Sequence, residues 1–180
     1  MSKVTPAPRN RTLTITKREI EKYSKNLLTI HGRISKNNIL NKTINGDVFS
    51  ILPYLPDEFI DLLIIDPPYN MNKTFGAAKF KASSIEQYSE WMDDLINGLN
   101  PKLKKTASIY VCGDWKSSTS IHLVLKKYFI VRNRITWERE KGRGAKANWK
   151  SNSEDIWFCT KSDDYFFDVD SVKLKRRVLA

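Results

Sequence analysis

An α/β fold with a mostly parallel, Rossmann-like sheet and a late β-hairpin is predicted for this 180-residue chain by three features. Apolar runs stop abruptly at polar turns: Leu62-Leu63-Ile64-Ile65 before Asp66-Pro67-Pro68-Tyr69-Asn70, and Ala107 to Cys112 before Gly113-Asp114-Trp115-Lys116. Such runs suit strands buried on both faces of a parallel sheet, and prolines cannot continue a ladder, so the first strand must end at Asp66. Helical stripes separate these runs, and two short strand-like segments, Asp155 to Thr160 and Tyr165 to Val169, close the pattern around Lys161-Ser162-Asp163-Asp164. Alternating strands and helices with a late hairpin describe a parallel sheet carrying antiparallel strands at one edge.

The residues before Lys42 read as a basic arm, an N-terminal helix and a linker, and residues 42–180 as the main domain. Pro6, Pro8, Arg9 and Arg11 mark the arm. Thr16 with Glu19 forms a capping box, and Ile20, Tyr23, Leu27 and Ile30 recur at helical spacing, which predicts a helix over 17–30. Gly32 to Asn41 reads as linker, Lys42 to Asp47 as a short strand ending in a turn, and Val48 to Leu55 as a helical turn closed by Pro53 and Pro56. Met71 to Ala82 lacks periodicity and reads as a loop over the strand end, where loops often close on substrate. Ser84 with Gln87 opens a helix whose stripe is Tyr88, Trp91, Met92, Leu95 and Leu99, ending near Asn100-Pro101. Ile121, Val124, Leu125 and Tyr128 mark another helix, and Phe129 to Trp137 alternates as a strand.

Hydrophobic residues make up 41% and charged residues 28%, a globular composition. No apolar run approaches the roughly 20 residues that span a bilayer, and no secretory signal opens the chain, so a cytoplasmic protein without a membrane partner is expected. Cys112 and Cys159 lie in separate apolar segments, as reduced core residues do, and with His31 and His122 they show no metal-ligand spacing. The net charge of +11 favours a polyanionic partner.

Ligands of open α/β sheets bind beyond the carboxyl ends of strands, which places Asp66 and Tyr69 at an active-site rim. The string Asp66-Pro67-Pro68-Tyr69-Asn70 after a buried strand resembles the catalytic motif of amino-methyltransferases acting on exocyclic amines of nucleic-acid bases. The amine of adenine or cytosine is a poor nucleophile because its lone pair is delocalised into the ring. Hydrogen bonds from its N–H groups to the Asp66 carboxylate and the Pro67 carbonyl would relocalise that pair, provided the paired prolines hold both acceptors still. Tyr69 offers a face on which an extruded base could stack.

The resemblance is wider than the motif. Ile44-Asn45-Gly46-Asp47, Leu52, Leu55-Pro56 and Ile60 to Asn70 look like the opening of a β-group DNA amino-methyltransferase, and the likeness continues through the Trp91 helix, the Tyr110 strand and Trp137 to Lys161. It implies a methyltransferase fold, S-adenosylmethionine as cofactor, and double-stranded DNA with a flipped-out adenine as partner. The motif's Asp implies adenine N6 more often than cytosine N4. Carried over, the resemblance makes Asp66, Pro67, Pro68 and Tyr69 catalytic, Asp47 and Asp66 cofactor-facing, and Asn70 a nucleic-acid contact.

From Lys126 to Lys150 nine basic residues face two acids, Glu138 and Glu140. Arg139, Lys141, Arg143, Lys146 and Lys150 are candidate phosphate contacts, and Trp149 could insert or stack. Lys173, Lys175, Arg176 and Arg177 could extend that surface. The family's Phe-x-Gly-x-Gly turn, which holds the cofactor, has no counterpart among the seven glycines, and the chain stops at Ala180, where a recognition region would begin. The fold is therefore expected to be incomplete, with a second chain as a possible source of the cofactor motif. A non-catalytic DNA-binding remnant or companion subunit, and an RNA amine methyltransferase, are the alternatives.

Overall fold

The structure is a computed structural model that describes residues 14–75, 78–143, 147, 149 and 151–173. The chain divides after Tyr54 into two compact units.

In the first unit, α1 (Lys17–Ser24) starts at the Thr16–Glu19 capping box, with both reciprocal bonds formed. It ends well before Ile30, because Leu27–Leu28 (β1) pairs in parallel with Thr43–Ile44 (β2). Pairing with a distant strand overrides a stripe that would locally have continued the helix. A short α2 (Lys36–Ile39) interrupts the expected linker. Asp47 caps α3 (Val48–Ile51), its Oδ1 accepting from the Ser50 amide at 3.0 Å, and a 3-10 turn over Leu52–Tyr54 follows.

The second unit is built on four strands in the order β3-β6-β8-β7, where β3 is Ile60–Ile65, β6 Leu103–Gly113, β7 Ile130–Arg143 and β8 Ser151–Thr160. β3 and β6 pair in parallel, and β8 runs antiparallel to both β6 and β7, so three of the four strands point the same way. The late hairpin is therefore β7–β8, and the expectation that Tyr165 to Val169 supplies a strand is corrected. Residues 164–168 carry no strand, and α6 (Val169–Val172) follows, capped by Asp168. The alternating aromatics that imitate a strand have another role: Tyr165 and Phe167 pack on Phe158 at 6.0 and 5.8 Å between ring centroids, and Arg132 lies over the Tyr165 ring.

Between β3 and β6 lie two short antiparallel strands, β4 (Lys73–Phe75) and β5 (Ala78–Phe80), and the helix α4 (Ile85–Leu99). The helix begins at the Ser84–Gln87 capping box and buries Tyr88, Met92, Leu95, Ile96 and Leu99 at helical spacing. Helix α5 (Ser118–Tyr128) connects β6 to β7. Ile109, Val111 and Gly113 alternate with Tyr110 and Cys112 along β6, so the two sets face opposite ways. α5 covers the Gly113 face, where a Cβ on Gly113 would meet Ile121 Cδ1 at 2.6 Å. Ile109, Ile121, Leu125 and Met92 are fully buried there, each contributing about 1.5–3 kcal/mol by leaving water.

The other face is open. Leu62 and Ile64, in register with Ser108 and Tyr110, are 55% and 66% exposed, which corrects the expectation that this strand is covered on both sides. Among the described residues β3 is also the edge of its sheet. Its start is fixed by Lys102, whose ammonium donates to the Leu55 carbonyl at 2.9 Å and to Asp57 at 2.7 Å, while the Phe59 amide donates to the Lys102 carbonyl.

Candidate active site

Strand β3 stops at Ile65, and the turn Asp66–Asn70 lies at the same end of the sheet as the Gly113–Ser117 turn after β6 and the start of β8. Asp66 is exposed, Pro67 buried, and Tyr69 and Asn70 half-buried. Two bonds from distant elements pin the turn. The Tyr88 hydroxyl of α4 donates to the Pro68 carbonyl at 3.1 Å, and the Asn70 amide donates to Ser117 Oγ at 3.1 Å. Ser117 is completely buried, and its own hydroxyl donates to Asp114 Oδ1 at 2.7 Å, which also accepts the Ser117 amide at 2.9 Å.

The Asn70 side chain closes the segment that follows. Its Nδ2 donates to the Ser83 carbonyl at 3.0 Å and its Oδ1 accepts from the Ser83 amide at 2.8 Å, while Asn72 Oδ1 accepts from the Ala82 amide. The stretch expected as an irregular loop thus contains the β4–β5 pair, tied at its base by two asparagines. Beside it opens a cleft of about 410 Å³ lined by Pro68, Tyr69, Asn70, Lys81, Ser83, Gln87, Tyr88 and Trp91. Tyr88 and Trp91, one turn apart on α4, stack at 5.9 Å within that wall.

Burial, then the charges of Asp66 and Glu154, raise the Tyr69 phenol well above its ordinary value, and it shares a hydrogen bond with Asp66. Burial also pushes Tyr88 up to about 12, opposed by a hydrogen bond with Ser117 and aided by the charge of Asp114. Both phenols are therefore neutral throughout the physiological range. Because their folded values exceed the ordinary 10.0, their contribution to stability is complete below pH 10 and is lost as pH rises toward 12. Alkaline titration followed by tyrosinate absorbance is expected to show a late phase, removed in part by Tyr88→Phe, with stability falling above pH 10.

Glu154 and Ser117 carry no sequence motif and were not expected at the site. Glu154, in β8, lies close enough to Tyr69 and Cys112 to raise both, alongside Asp66. It is held by Arg139 at 2.9 Å, and the same guanidinium donates to the Ser153 carbonyl at 3.2 Å, leaving its buried Nε without a partner. Arg139 thus reaches the site end of the sheet. Other cations of the basic stretch are paired as well: Lys127 with Asp93, Arg132 with Asp163, Arg134 with Asp155. Lys141 and Arg143 lie at the end of β7, and Trp149 is 96% exposed. Lys146, Lys150, Gly144-Ala145, the arm at residues 1–13, and Lys175, Arg176 and Arg177 lie outside the described residues.

Asp47 is exposed in the first unit, where it caps α3. Cys112 and Cys159 are both free, Cys159 buried and Cys112 half-buried. Among the described residues no helix is long and apolar enough to cross a membrane, and no group of His, Cys, Asp and Glu could hold a metal.

A family model described as DNA methylase, of N6/N4 methyltransferases, matches residues 60–178. The type II methyltransferase M.BglII of Bacillus subtilis is 30% identical over 148 residues, 77% of this chain and 40% of that protein. The DNA adenine methyltransferase YhdJ of Escherichia coli (strain K12) is 29% identical over 136 residues, 74% of this chain and 46% of that protein. The chain therefore spans less than half the length of these two relatives. Among solved structures, the PvuII DNA methyltransferase (cytosine-N4-specific) superposes with a TM-score of 0.60 at 16% identity, covering 82% of this chain and 57% of that one. A presumed DNA modification methylase of Thermus thermophilus, complexed with S-adenosyl-L-methionine, superposes at 0.53 and 18% identity over 70% of this chain and 55% of that one. These superpositions establish the shared fold.

Proposed function

The chain belongs to the DNA methylase family of N6/N4 methyltransferases, and from that premise we propose that it forms the catalytic part of a DNA amino-methyltransferase acting on adenine N6 in the cytoplasm. One observation carries the reading: the Asp66-Pro67-Pro68-Tyr69 turn stands at the carboxyl end of a parallel strand, its carboxylate exposed and its backbone fixed by Tyr88 and Ser117. A base extruded from the duplex would stack on Tyr69 and present its amine to the Asp66 carboxylate and the Pro67 carbonyl. Two fixed acceptors then draw the lone pair back onto nitrogen, and Asp66 stands ready for the proton released when nitrogen gains its methyl group. The amine must displace the Tyr69 hydroxyl from Asp66 to do so.

S-adenosylmethionine, when bound, supplies an electrophilic methyl group carried on a cationic sulfur. The donor set suits that end of the ligand: the exposed Asp66 carboxylate, with no ion pair of its own among the described residues, gives the rim a negative charge that favours a sulfonium. Asp66 would face the methyl-donor end. The open edge and face of β3 favour a second polypeptide segment that completes the sheet and cradles the rest of the cofactor. Calorimetric titration with S-adenosylmethionine, before and after adding such a segment, distinguishes a chain that binds alone from one that binds only when completed.

The duplex would lie along Asn70, Arg139, Lys141, Arg143, Lys146, Trp149 and Lys150. Replacing Arg143 and Lys146 together with alanine is expected to weaken DNA binding and to lower the slope of log K against log salt by about two, as the loss of two phosphate contacts requires. An unchanged slope removes these residues from the interface. The activity itself is tested by producing the chain in a bacterial host devoid of its own DNA methylation, then digesting host DNA for mass spectrometry. N6-methyladenine is the expected product, N4-methylcytosine would reassign the base, and neither, with the completing segment co-produced, would overturn the reading.

A further inference from the structure

A serine at a helix N-cap ordinarily turns its hydroxyl onto the first free amides of its own helix. Ser117 occupies the N-cap of α5 and makes no such bond. Its hydroxyl instead bonds Asp114, and its oxygen receives the amide of Asn70, 47 residues earlier. Asp114 secures the arrangement by taking both the amide and the hydroxyl of Ser117 on one oxygen, and Asp114 and Ser117 are both buried. With its only proton given to Asp114, the Ser117 hydroxyl presents lone pairs toward the turn, so it can act only as the acceptor that the Asn70 amide needs. Tyr88 reaches the same turn from α4 and donates to the carbonyl of Pro68.

The turn is thus gripped at a carbonyl and at an amide, on either side of Tyr69, from α4 and from the start of α5. We propose that Asp114, Ser117 and Tyr88 are positioning residues, which hold the Asp66–Asn70 turn in the shape that activates the amine; this rests on the methyltransferase reading of the turn. Asp114 sets the direction of the Ser117 hydroxyl, Ser117 fixes Asn70, and Tyr88 fixes Pro68. Asp114 and Ser117 are buried behind the turn, and the Tyr88 hydroxyl is spent on the Pro68 carbonyl. Their effect is on where the Asp66 carboxylate and the Pro67 carbonyl stand, and a displacement of about 1 Å at such acceptors can cost a hundredfold in rate.

The experiment compares wild type with Ser117→Ala, Ser117→Thr and Tyr88→Phe, each first shown by urea unfolding to be folded. Hydrogen exchange at the Asn70 amide, followed by NMR, is expected to accelerate at least tenfold in Ser117→Ala and to return toward wild type in Ser117→Thr, which restores the acceptor. In methyl-transfer assays, kcat is expected to fall about tenfold to a hundredfold in Ser117→Ala and Tyr88→Phe, with KM for DNA and for S-adenosylmethionine little changed. Faster exchange with wild-type kcat in an active protein overturns the positioning role alone, as does unchanged exchange in Ser117→Ala. Should wild type, assayed with the completing segment, transfer no methyl group to DNA, the methyltransferase reading is what fails, and the proposal falls with it. If Ser117→Ala does not fold, Ser117→Thr and Tyr88→Phe decide by the same two readouts.

Discussion

Asp66→Ala is expected to lower methyl transfer by about 10²–10⁴-fold while leaving DNA affinity within a few-fold of wild type. The carboxylate is exposed at the end of β3 and carries no load in the core, so its removal should leave the fold intact. What disappears, on the proposed mechanism, is one of the two acceptors that would draw the lone pair back onto the amine nitrogen. Rates measured with tritiated S-adenosylmethionine, set beside DNA binding by fluorescence anisotropy, separate the two effects. Retained transfer would remove Asp66 from the chemistry. Loss of DNA binding in parallel would mean that the carboxylate supports the interface instead.

The second large effect lies in the core. Ile109→Ala is expected to destabilise the chain by about 2–5 kcal/mol, because Ile109 is fully buried in β6, which is paired on both sides and packed beneath helical cover. Neighbours locked between two strands and a helix layer cannot collapse into the space left behind. Urea unfolding with an unchanged m-value is the measurement, and a loss below about 1 kcal/mol would show a site more yielding than its burial implies. The same change at Ile64, 66% exposed, should cost far less despite the identical chemistry of the side chain.

What could be read from the chain follows the range of the interactions involved. The β3 strand and its stop at Asp66 were legible because two prolines end a ladder wherever they stand. Both capping boxes were legible because their partners lie three residues apart. The end of α1 was not, since Leu27 and Leu28 leave the helical stripe for partners sixteen residues away, at Thr43 and Ile44. Tyr165 and Phe167 deceived in the opposite sense, since an aromatic alternation that serves to cover Phe158 has the same spacing as a strand. At the site, the motif announced itself and its supports did not. Tyr88 read as one more member of a core stripe, although its hydroxyl reaches Pro68, 20 residues back. Glu154 read as nothing in particular, and only the antiparallel return of β8 brings it within electrostatic reach of Tyr69.

The Asp66 carboxylate hangs from the one strand of the larger sheet that, among the described residues, has a neighbour on a single side and leads into the motif. A strand paired once opens more easily than one paired twice, and Asp66 stands between that strand and the bonds that pin Pro68 and Asn70. Any chain that lays itself along β3 would therefore stiffen Asp66 without touching it. On the proposed reading, completing the sheet and steadying the turn become one event.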